Sequence, residues 1–147
     1  MSDGHDTNVA TEIKPKRSNI SRIYYTARNL AVKKLGFASY SDYLRSGIWR
    51  QIKISVRRFR GRFCSCCHSP GTQIHHTDYS VETLSGKKLT ALYPICDRCH
   101  TEIERMADGE KSTPTFANRR FFAKKAIKDR VAAVEMRDWL RRHGIKT

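Results

Sequence analysis

The sequence predicts a small α+β domain, on three observations. Apolar residues recur at helical spacing on both sides of the chain's middle. Two short strand candidates lie in the middle itself, and two Cys-x-x-Cys pairs bracket them. A chain of 147 residues fits one compact domain with some flanking tail. With 39% hydrophobic and 29% charged residues it calls for support beyond an apolar core, such as a metal or a partner.

Residues 1–17 lack periodicity, contain Pro15 and read as a disordered tail. Residues 18–60 read as a basic helical lead-in. Asn19 or Ser18 caps a first helix carrying Ile20, Ile23, Tyr24, Ala27, Leu30, Ala31 and Leu35, and Gly36 ends it. A second stretch starts at Ser41-Asp42 and runs through Tyr43 and Leu44. A third spans 47–58, with Trp49, Ile52, Val56 and Phe59 on one side. Arg50, Lys53, Arg57, Arg58 and Arg60 cover the remainder, the pattern of a helix that packs one stripe and shows positive charge outward.

Residues 61–107 form the core segment. Cys, Ser, Gly and Pro crowd 61–71, which suits a tight metal knuckle. Residues 72–75 and 87–95 are the strand candidates, with a loop over 77–85. Asp97 caps a helix to 106 in which Ile103 and Met106 face inward. Residues 108–147 read as basic C-terminal helices. Asp108-Gly109 and Pro114 punctuate a linker, and one long or two shorter helices follow over 115–143, ending at Gly144. Phe121, Phe122, Ala126, Val131, Val134, Trp139 and Leu140 supply the packing.

Net charge is +15, unevenly spread. Residues 13–62 hold fourteen Lys/Arg against one acid, 63–110 hold four against seven, and 111–147 hold eleven against three. Two basic flanks enclosing a mildly acidic centre point to a polyanion, because Lys and Arg that neutralise phosphates release counterions. No apolar run approaches a membrane span and the first residues do not resemble a signal peptide, so a cytoplasmic setting and no membrane partner are expected. In a reducing compartment, paired Cys-x-x-Cys motifs read as metal ligands rather than disulfides.

Cys64-x-x-Cys67 and Cys96-x-x-Cys99 stand 28 residues apart. Two such turns can offer four thiolates at the corners of a tetrahedron, the arrangement structural Zn(II) prefers, and binding is then coupled to folding. Cys66 is spare and sits inside the first knuckle, where it could compete with Cys67. His68 is a turn residue rather than a fifth ligand. The gap exceeds the usual 15–20 residues of such sites, and the insertion carries histidines. Adjacent residues His75 and His76 on a strand point to opposite faces, and His100 directly follows Cys99. If strand and helix pack together, His75 and His100 can meet at a second metal.

The run of a first Cys-x-x-Cys, then Ile74-His75-His76-Thr77-Asp78-Tyr79, then Leu92-Tyr93-Pro94-Ile95-Cys96 and Cys99-His100, resembles the HNH endonuclease family. It is closest to the zinc-containing branch with the motif HHxxY…L…LCxxCH. The lead-in from Tyr43 to Trp49 is similar to that of small members, and the likeness covers about residues 40–106. The resemblance implies a small ββα-metal (HNH/His-Me finger) core with a four-cysteine zinc knuckle, flanked by the basic helices. His76 would be the general base, and His75 and His100 ligands of a catalytic Mg(II) or similar ion. Glu104, one turn beyond His100, would be a third ligand or else a solvated surface acid. One departure stands out. Five positions before the second knuckle the family carries Asn or an acid that braces the loop of the general base, and here Ala91 stands there. The brace must then come from Thr90, Asp78 or backbone, or activity is weak or lost.

The function expected is a metal-dependent endonuclease that hydrolyses phosphodiester bonds, in double-stranded DNA on the family resemblance, and nicks one strand per monomer. Arg50, Lys53, Arg57, Arg58, Arg119, Arg120, Lys124 and Lys125 would track phosphates without reading bases. A second copy or an accessory protein is a further expected partner. The competing expectation is the same zinc module with a weak or disabled centre, acting only as a nucleic-acid-binding protein.

Overall fold

The computed structural model describes residues 19–145, so the expected tail and Ser18 lie outside the described residues. The order is α1 (Asn19–Lys34), α2 (Tyr40–Arg45), α3 (Gly47–Arg60), β1 (Gln73–His76), α4 (Val81–Leu84), a 3-10 turn (Leu89–Ala91), β2 (Leu92–Ile95), α5 (Asp97–Glu104) and α6 (Pro114–Arg142). The fold is α+β, with one antiparallel hairpin that pairs Gln73 with Ile95, Ile74 with Pro94, His75 with Tyr93 and His76 with Leu92. Helix starts follow local chemistry. The hydroxyls of Ser39, Ser46, Ser80 and Thr113 accept the orphan amides of α2, α3, α4 and α6, and Pro114 opens α6 where its missing N–H costs nothing. Among the described residues no helix is long and apolar enough to cross a membrane.

The hairpin separates two cores, as strand alternation requires. On one face Ile74 and Leu92 join Val32, Tyr43, Trp49, Ile52, Val56 and Leu84. On the other, Ile95 joins Cys64, Cys96, Cys99, Ile103 and Phe121. Arg60 ties α3 to the hairpin. Its guanidinium lies 3.7 Å from the Tyr93 ring centre and donates to the Thr90 and Leu92 carbonyls, at 2.7 Å each.

Several expectations need correction. In α1, Ile23, Ala27 and Leu30 are exposed, and the buried face is Ala31 with Val32, because the helix turns that side to Tyr43 and Trp49. Phe59 is exposed, since α3 runs on to Arg60 and the arginine takes the inward position. Residues 87–91 are not strand: Ser80 caps a short helix in the expected loop, and a 3-10 turn delays β2 to Leu92. Helix α5 is capped by Cys96 rather than Asp97 and stops at Glu104, leaving Met106 exposed. Helix α6 is continuous, but it buries only Ala117 and Phe121. Phe122, Ala126, Val131, Val134 and Trp139 are exposed, and Leu140 is half-buried.

Candidate metal centre and histidine cavity

The first knuckle follows α3, and the second spans the end of β2 and the start of α5. They are joined by the Ser65 amide, which donates to the Pro94 carbonyl. The sulfurs of Cys64, Cys67, Cys96 and Cys99 all lie within 4.8 Å of one another, and those of Cys67 and Cys96 are 3.6 Å apart. A tetrahedron with Zn–S bonds of about 2.3 Å has edges near 3.8 Å. The four cysteines therefore could hold a metal ion such as zinc.

Two backbone amides face the sulfurs, while burial pushes the Cys96 and Cys99 thiols up. The Cys66 amide points to Cys64 Sγ and the Cys99 amide to Cys96 Sγ, each at 3.4 Å. Burial opposes ionisation at Cys67, but hydrogen bonds from Ser69 outweigh it and hold that thiol below its ordinary value. Cys66 lies outside the group. Burial, with Cys64 beside it, pushes its thiol up to about 12, and its sulfur contacts the Phe121 carbonyl oxygen at 4.0 Å. His68 is exposed in the turn at φ 63°, as a turn residue should be.

The knuckles position the histidines. His100 follows Cys99 as the fourth residue of α5, and its ring centre is 5.7 Å from that of His75. Phe121 packs against the His75 ring at 4.8 Å. His76 leaves the strand on the opposite face, between Trp49 at 4.9 Å and Tyr79 at 4.8 Å, both stacked on it. Its Nε2 is buried with no hydrogen-bond partner, a costly state for a polar atom. Burial keeps both strand histidines neutral, holding His75 at about 4 and His76 at about 3.

His75, His76, His100 and Glu104 line one cavity of about 380 Å³, whose walls also carry Arg28, Lys53 and Lys111. Glu104 Oε1 is 3.2 Å from His100 Nε2, and its carboxyl is held below the usual range, first by that hydrogen bond. It is a partner of His100 with its side chain 38% exposed. Among the described residues, the cysteines alone bring three or more such donors into a compact group.

Of the expected phosphate contacts, Lys53 lines the cavity, while Arg50, Arg57, Arg58 and Arg119 do not. Arg120 donates to the Arg105 carbonyl, Lys124 pairs with Glu102 and Lys125 with Asp129. Those three are engaged within the chain. Arg28, which lies 4.1 Å from the Tyr40 ring centre, and Lys111 were not singled out from the sequence.

The loop after His76 is braced by backbone, including that of Ala91, whose side chain makes no hydrogen bond. Thr77 donates through its amide and its hydroxyl to the Ala91 carbonyl, and Asn118 of α6 donates to the Thr77 carbonyl at 3.0 Å. Asp78 instead holds the Ser80 cap of α4 in place, accepting from the Ser80 and Thr83 hydroxyls. Asn118 was missed because it lies 41 residues from Thr77 and no local pattern marks it. Gln73 was missed too, although its place two residues before His75 puts both on one strand face. No family model matches the chain, and neither curated proteins nor solved structures return a match.

Proposed function

We propose that this chain is a metal-dependent endonuclease of the HNH type, with β1, β2 and α5 as its ββα-metal core, which hydrolyses phosphodiester bonds in double-stranded DNA. The observation carrying the reading is the convergence of His75, His76 and His100 on one cationic cavity beside the four-cysteine group. Arg28, Lys53 and Lys111 supply charge that attracts and orients a phosphate. His76 is neutral at physiological pH, and its unpartnered Nε2 is the atom that accepts the proton of an attacking water. Oxygen of that water bonds to phosphorus while the bond to the 3′ oxygen breaks. His75, His100 and Glu104 would hold a Mg(II)-like ion, whose charge would stabilise the phosphate and the leaving oxygen.

The second reading, a binding module without hydrolysis, draws support from His76 being only 6% exposed between two rings. Supercoiled plasmid separates the two. With Mg(II) or Mn(II), nicked circles should accumulate, and His76→Ala should abolish them while plasmid binding persists. Binding without nicking across several divalent ions would overturn the nuclease reading and leave the module.

A further inference from the structure

His75 and His100 are each held by a side-chain carboxamide whose own orientation is fixed by a second partner. The Asn118 amide nitrogen donates to the Thr77 carbonyl at 3.0 Å, so its Oδ1 is the atom 3.1 Å from His75 Nε2. An amide oxygen only accepts, so His75 carries its proton on Nε2 and its lone pair on Nδ1. The same logic runs on the other side. The Gln73 amide nitrogen donates to Asp97 Oδ1 at 2.6 Å, which leaves Oε1 facing His100 Nδ1 at 2.6 Å. His100 therefore carries a proton on Nδ1, and Nε2 is the nitrogen facing Glu104.

We propose that Asn118 and Gln73 are positioning residues that hold protons on opposite ring nitrogens, His75 Nε2 and His100 Nδ1, leaving His75 Nδ1 and the Glu104-paired His100 Nε2 as the nitrogens a divalent cation would take. Ligating imidazoles characteristically donate their other N–H to a carbonyl or carboxylate, which sets ring orientation and raises ligand basicity. Asn118 does a second job through Thr77, the residue after His76, so one side chain of α6 sets both the ligand ring and the loop behind the base. The site is thus completed by a helix outside the hairpin and knuckles. The roles rest on the nuclease reading; the tautomers do not.

Two-bond ¹H–¹⁵N correlation spectra of the zinc-loaded full chain read the tautomers directly. The expected patterns are a proton on Nε2 and none on Nδ1 for His75, and a proton held on Nδ1 for His100, whose Nε2 faces Glu104. Asn118→Ala should scramble the His75 pattern alone, and Gln73→Ala the His100 pattern alone. Asn118→Asp still accepts from His75 but cannot donate to Thr77, so it should keep the tautomer and lose the loop tie. In the plasmid assay, the alanine variants should need about 10–100-fold more Mn(II) for half-maximal nicking, whereas a purely structural asparagine would lower stability without moving the tautomer. A wild-type His75 protonated on Nδ1, or an unchanged pattern in both alanine variants, overturns the proposal even if plasmid is nicked. Correct tautomers in a protein that never nicks would sink the nuclease reading alone. Should Asn118→Ala fail to fold, Asn118→Asp and Gln73→Ala still decide the matter.

Discussion

Replacing Phe121 with alanine should release α6 from the rest of the chain while leaving the four cysteines able to bind a zinc ion. Phe121 is fully buried, its ring 4.8 Å from both His75 and Tyr93. Only Ala117 accompanies it into the core from this 29-residue helix. Removing a buried phenylalanine side chain costs about 3–5 kcal/mol. At about 1.4 kcal/mol per tenfold, docking weakens by roughly a hundred- to a few-thousand-fold. The other links of α6 are the two part-buried hydrogen bonds of Asn118 and exposed ion pairs and hydrogen bonds of small individual worth. Urea titration measures the global loss, and amide exchange across α6 shows where it falls. Trp139→Ala, an exposed change far along the same helix, should stay within about 0.5 kcal/mol of the parent. Zinc content should remain at about one per chain. A loss below about 1 kcal/mol, or unchanged exchange protection at Ala117–Arg120, would refute the reasoning that Phe121 is the main apolar anchor of this helix.

Other substitutions probe separate links. Cys99→Ser removes one corner of the four-sulfur group. It should abolish stoichiometric zinc and cooperative unfolding together, because metal binding and folding are coupled in such centres; zinc-free protein with native melting would contradict this. Acid should destabilise the fold through the buried histidines. Their pKa values lie at about 4 and about 3, below the ordinary 6.5. The unfolded chain therefore takes up protons first as pH falls through 6.5, and stability that is complete above that value is lost toward the folded values. The slope is at most about 1.4 kcal/mol per pH unit for each ring. Urea midpoints at about pH 7.5 and about pH 5.5 should show a smaller drop in His76→Phe than in the parent; equal drops would exclude His76 as a source. Gly71→Ala places a methyl 2.8 Å from Pro94 Cβ and 3.2 Å from the Arg62 carbonyl. It should cost about 1–3 kcal/mol by overpacking the junction of knuckle and hairpin, and a neutral melting temperature would argue against that close approach.

What the sequence revealed was local chemistry, and what it hid depended on packing. The knuckles were legible because a two-residue spacing is itself a geometric instruction, and the structure brings Cys64, Cys67, Cys96 and Cys99 together. The stripe of Trp49, Ile52 and Val56 was legible because burial follows helical period. Phe59 broke the pattern, since Arg60 finds two carbonyls and an aromatic face that no periodicity rule foresees. The apolar residues of α6 looked like packing material, yet most of them face away from the core. Hydrophobicity signals a preference for burial, and only tertiary contacts decide which residues obtain it. Arg28, Lys111 and Asn118 reach the cavity from three separate segments, and their identities as residues carry no mark of that meeting.

The enclosure of His76 bears on the choice between nuclease and inert module. A ring held at about 3 is a feeble proton acceptor in the free protein, because burial, the largest cause, strips the imidazolium of solvent. Burial also lowers the screening felt by the ring. A phosphodiester anion about 4–5 Å away interacts with an imidazolium by roughly 4 kcal/mol at an effective dielectric of about 20. That corresponds to about 3 pKa units, enough to return the ring to the range where general bases work near neutrality. An exposed histidine would gain far less from the same anion, since water screens it. The aromatic clamp of Trp49 and Tyr79 is thus compatible with a base that is quiet until a phosphate enters the cationic cavity.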